Sequence, residues 1–82
     1  MDRKQIEGQI GELQNENIEL NNMLDDPVYA SANREILSDN LVAIKLLQFV
    51  VDNATDEDIR LAQITLPGRA SLMRWAKKHM EE

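Results

Sequence analysis

Between Ile6 and Leu24 the apolar residues fall in steps of four and three: Ile6, Ile10, Leu13, Leu20 and Leu24, with Asn17 in the remaining slot. That is the heptad rhythm, and it lays one stripe along an α-helix from about Asp2 to Leu24. Asp25-Asp26-Pro27 should end this helix, because proline disfavours helical geometry in the residue before it. Pro27 fits the first turn of a new helix and Asp26 fits its N-cap. Up to about Asp52, apolar residues again recur near helical spacing: Val28, Tyr29, Ala32, Ile36, Leu37, Leu41, Ile44, Leu47 and Val51. Ser38-Asp39-Asn40 can end one helix and cap another, which leaves either one bent helix or two. Nine of the residues from Leu41 to Val51 are apolar, so this stretch is expected to be buried on most sides. Thr55 followed by Asp58 has the capping-box pattern and opens a third helix, to about Thr65. Leu66-Pro67-Gly68 is the next punctuation, and a last helix runs from about Arg69 to His79 with Leu72, Met73, Trp75 and Ala76 as its apolar part. The pattern predicts an all-α fold of three to five helices.

The first segment resembles a leucine zipper over about three heptads. Ile6, Leu13 and Leu20 take the d positions; Ile10, Asn17 and Leu24 take a. The resemblance implies a parallel dimer in which two Asn17 side chains pair across the axis, selecting dimer and register at a cost in stability. The expected oligomer interface is then Ile6, Ile10, Leu13, Asn17, Leu20 and Leu24. The competing reading is a helix packed on its own chain's core, with Asn17 turned to solvent. Flanking Glu7, Gln9, Gln14, Glu16, Asn21 and Met23 include no base, so no interhelical salt bridge supports the pairing. Residues 1–25 read as the heptad coiled-coil helix and 26–82 as a small helical domain, within a single domain overall.

Length strengthens the case for self-association. A chain of 82 residues buries only roughly 60–65% of its unfolded surface and barely surrounds the Leu41–Val51 helix, so a homodimer is expected. There is no cysteine and one histidine, which excludes disulfides, thiolate metal sites and a multi-histidine site. No metal or cofactor is expected. Hydrophobic residues at 43% and charged ones at 29% suit a folded chain, and aromatics at 4% argue against an all-β one. The start of the chain is polar, and the longest apolar stretch would rise about 16 Å as a helix, half a bilayer core. The expectation is a cytoplasmic protein with no membrane partner.

Charge divides the chain. Net charge is −6, but residues 1–58 hold 13 acids against 4 bases, while residues 59–80 hold 5 bases and no acid. The basic C-terminal part is a candidate anion-binding face, with Trp75 available either for stacking or for the core. Thr55-Asp56-Glu57-Asp58-Ile59 followed by Arg69-Ala70-Ser71-Leu72-Met73-Arg74-Trp75-Ala76-Lys77-Lys78 resembles a helix-turn-helix unit of bacterial regulators. That resemblance implies Arg69, Ser71 and Arg74 facing the major groove, with Lys77 and Lys78 as further anion or nucleic-acid contacts. The stretch Arg60–Gly68 departs from it, being longer than the usual compact turn and carrying Pro67.

Signatures of catalysis fail. There is no Gly-rich phosphate loop, and Leu66–Ser71 offers a single glycine. His79 has no acid or nucleophile fixed beside it, and Ser31, Ser38 and Ser71 lie in no nucleophile context. Asp52, Asp56 and Asp58 suggest a calcium loop, but Ala54 and Glu57 stand where a ligand and a glycine are needed. The expected function is therefore non-enzymatic: a small oligomeric regulatory or inhibitory protein that binds a protein partner through acids such as Glu12, Glu16, Glu19, Asp25 and Asp26. The alternatives are a dimeric DNA-binding regulator, or an oligomer that binds a small nucleotide-like anion through Arg69, Arg74 or Lys78.

Overall fold

The computed structural model describes residues 1–23, 27–65 and 68–81. These form four helices and no strand: α1 (Arg3–Asn22), α2 (Ala30–Asn53), α3 (Asp56–Thr65) and α4 (Arg69–Met80). α1 opens on a capping box in which Asp2 accepts from the Gln5 backbone and the Gln5 side chain accepts from Asp2 N–H, both at 2.8 Å. α3 opens on the expected one. Asp58 N–H donates to Thr55 Oγ1 at 3.1 Å, and Thr55 N–H donates to Asp58 Oδ2 at 3.0 Å. The backbone bond from Thr55, then its side chain, hold the Asp58 carboxyl below its ordinary 3.8; His79 adds a smaller pull, and burial opposes.

One expected boundary is corrected and one left open by the sequence is resolved. Pro27 does not sit in the first turn of α2. Pro27–Tyr29 form a turn, and the helix begins at Ala30 with no side-chain cap from Tyr29; the expected cap Asp26 lies outside the described residues. Ser38-Asp39-Asn40 is no break either. α2 runs through it because the Asn40 amide donates across to Asn17 Oδ1 at 3.0 Å instead of bonding its own backbone. Gly68, at φ 83, makes the turn into α4; a Cβ there would meet nothing within 4 Å, so the constraint is the backbone itself.

α1 and α2 form an antiparallel hairpin. Asn17 faces Asn40, and the start of α1 meets the end of α2, where Arg3 donates to the carbonyls of Val51 and, at 2.6 Å, of Ala54. These are terminal carbonyls that the helix cannot satisfy itself. Asp56 adds an ion pair to Arg3 at 3.5 Å. α2 brings its own four-three series to the seam: Asn33, Leu37, Asn40, Ile44, Leu47, Val51 and Ala54, each buried or half-buried. The heptad stripe of α1 is therefore met within the chain. Ile6, Ile10 and Leu13 join Ala43, Leu47, Val50, Ala54, Ile59, Leu72 and Ala76 in one core drawn from all four helices. The parallel Asn17–Asn17 pair is replaced by Asn17–Asn40. A helix only a few residues further along the same chain is present at a far higher effective concentration than a second copy.

The molecule is elongated, 45 × 24 × 20 Å. A helix as long as α2 accounts for about 36 Å of that. α4 lies against the C-terminal half of α2, with Trp75 and Phe49 ring centroids 6.0 Å apart, and α3 packs on α4. The outer half of the hairpin projects from this head.

Candidate functional site

The expected site residues do not form one cluster. Ile6, Ile10, Leu13 and Asn17 are buried in the hairpin, Leu20 is half-buried, and Leu24 lies outside the described residues. On α4, Arg74, Lys77 and Lys78 share one exposed face, as residues three and four apart do. Ser71 does not join them: it is buried, and its hydroxyl donates to the Gly68 carbonyl at 2.9 Å. Its expected place in a DNA groove is thus corrected, because at this helical phase the side chain turns towards the core. Arg69 is exposed but turns elsewhere, lining a depression of about 350 Å³ with Gln9, Glu12, Glu16 and Asn40. Trp75 is half-buried and stacked on His79, centroids 4.0 Å apart at 22°, with His79 Nδ1 2.8 Å from the Trp75 carbonyl. Its ring is taken up within the head.

A larger depression, about 680 Å³, lies between the start of α1 and α3. Its polar groups are largely engaged with each other. Met1 and Gln63 bond mutually, Arg3 holds the α2 carbonyls, Asp2 caps α1, and Arg60 pairs with Glu57 at 3.5 Å. Among the described residues no group of three or more His, Cys, Asp or Glu could hold a metal ion, and no helix is long and apolar enough to cross a membrane.

The feature that sequence reasoning missed is the outer half of the hairpin. Ile36, Ala43 and Val50 stand seven residues apart and share one stripe on α2, beside the seam, and Tyr29, at the N-cap, stands seven residues before Ile36. Ala43 and Val50 are buried at the head, whereas Ile36 is 41% exposed and Tyr29 59%. Met23, at the end of α1, is also exposed. Tyr29 and Ile36 were visible only as members of a series at helical spacing. Beneath the stripe, Asn33 is buried and its Nδ2 has no partner. Glu16 and Glu19 on α1 and Glu35 and Asp39 on α2 are exposed along the same half. The outer hairpin is therefore polar inside, apolar along one outer stripe and acidic around it. No family model, curated protein or solved structure matches the chain.

Proposed function

We propose that the chain is a small, non-enzymatic cytoplasmic protein that regulates or inhibits a protein partner by binding it through the outer half of the α1–α2 hairpin. One observation carries this reading: the stripe that is buried at Ala43 and Val50 continues uncovered through Ile36 and Tyr29. Exposed apolar side chains that continue a buried stripe mark an interaction surface, whereas Ile18, Leu41, Val42, Leu61 and Ile64, also exposed, stand apart from it.

A second reading keeps the DNA-binding alternative on narrower ground. Arg74, Lys77 and Lys78 give α4 a basic exposed face suited to phosphate, without Ser71 and with Arg69 turned towards α1. Site-directed photo-crosslinking in the expressing cells separates the readings. A crosslinker at Tyr29 should capture a protein, and one at Arg74 should capture neither protein nor nucleic acid. Nucleic acid captured from Arg74, with nothing captured from Tyr29, would replace the first reading with the second.

A further inference from the structure

We infer that the open stripe of the hairpin takes a cationic amphipathic helix from a partner protein; this rests on the reading above and names the chemistry of its partner. Three observations converge. First, the inner half of the stripe lies on the side of α2 that an amphipathic helix, α4, already packs against. That helix is apolar towards α2, basic on its exposed face, and sets Arg69 into the depression with Glu12 and Glu16. The chain itself thus shows which kind of element settles beside this stripe. Second, the uncovered apolar side chains are Ile36 on α2 and Tyr29 in the turn before it, about 10 Å or two helical turns apart along the axis. That length matches a helix laying its i, i+3, i+4 and i+7 side chains into a groove. Third, the exposed acids nearest to the stripe by helical phase are Glu16 on α1 and Glu35 and Asp39 on α2, with Arg34 the one base on the outer part of α2. Those acids decide against a second copy as occupant. Two hairpins face to face would bring like charges together while closing a low-dielectric interface, whereas lysines or arginines flanking an apolar stripe would meet opposite charge.

The test uses the full chain and a synthetic peptide of about 18 residues, roughly 27 Å as a helix. The peptide has leucines at helical spacing and lysines on its remaining face. Titration is followed by calorimetry and by backbone amide shifts. Saturable binding is expected, with shifts gathered at Met23 and residues 29–40, weakening as salt rises. A peptide with glutamates in place of the lysines should bind at least about tenfold more weakly. Tyr29→Ser and Ile36→Ser leave the charge unchanged and touch exposed positions, so the variants should fold. Each should weaken binding about tenfold, as loss of a central apolar anchor does. Binding that is unsaturable, or as tight as wild type in both serine variants, or mapped to α4, would overturn the proposal. So would a concentration-dependent dimer of the free protein that Ile36→Ser dissolves, since the occupant would then be a second copy. A protein crosslinked from Tyr29 together with no binding of the lysine peptide would leave the protein-binding reading standing and remove this one.

Discussion

The two halves of the α1–α2 hairpin use the same four-three seam in opposite ways. In the head the seam holds Ile6, Ile10, Leu13 and Leu47, and α4 closes over its flank. In the outer half it holds Asn17 paired with Asn40, then Asn33, while Ile36 and Tyr29 point outwards. One half places its apolar side chains where they stabilise the fold. The other spends seam positions on amides and leaves apolar side chains at the surface. A buried amide pair contributes little net stability but penalises any register that separates its members. The outer half is thereby held in register without the depth of packing that anchors the head. It is also the half with surface to offer a partner.

The largest expected effect breaks the head. Leu47 is fully buried, so Leu47→Ala should cost about 2–5 kcal/mol in chemical denaturation; a cost below about 1 kcal/mol would mean that the core lies elsewhere. The next probes the outer seam and has a telling sign. Asn17→Leu alone strands the Asn40 amide and should destabilise by about 1–3 kcal/mol, whereas Asn17→Leu with Asn40→Leu should recover that loss or exceed wild type. In a parallel zipper the single change would instead raise the melting temperature. Thermal unfolding of the three variants distinguishes these outcomes.

Arg3→Met tests how the hairpin's closed end is tied. It frees the carbonyls of Val51 and Ala54, and a loss of about 1–2 kcal/mol is expected, discounted because the side chain is partly exposed. Smaller again is the α3 cap, where Thr55→Ala should cost about 1 kcal/mol. The Asp58 carboxyl is depressed in the folded chain, so its contribution is complete above the unfolded value of 3.8 and is lost as pH falls through the lower folded one. Asp58→Asn should therefore make acid unfolding less steep in that range. The smallest effect sharpens the comparison most. Ile36→Ser on the open stripe should change stability by less than about 0.5 kcal/mol, and a larger loss would place Ile36 in the core with Ala43 and Val50.

Particular residues show how far the sequence could be read. The Thr55–Asp58 box and the span of α3 were legible because capping depends on neighbours in the chain. At Ser38-Asp39-Asn40 the sequence left one helix or two open, because the partner of Asn40 is 23 positions away. Ser71 was read as a groove contact because spacing reveals periodicity, but not which arc of a helix meets its neighbour. Arg3 carried no signal at all, since its acceptors are backbone carbonyls at the far end of another helix.

Residue order alone makes the chain helical, gives α1 a heptad stripe with one polar slot, and divides its charge into acidic and basic parts. These follow from local propensity and from the helical period, which belong to each segment alone. Only the tertiary structure decided what the stripe meets, which amide Asn17 pairs with, and which half of α2 stays uncovered. A stripe of Ile, Leu and Asn is equally complementary to a second copy and to a matching stripe later in the same chain. The choice between them lies in chain connectivity, the few residues between α1 and α2, and in the reach of α4, which covers Ala43 and Val50 and stops short of Ile36.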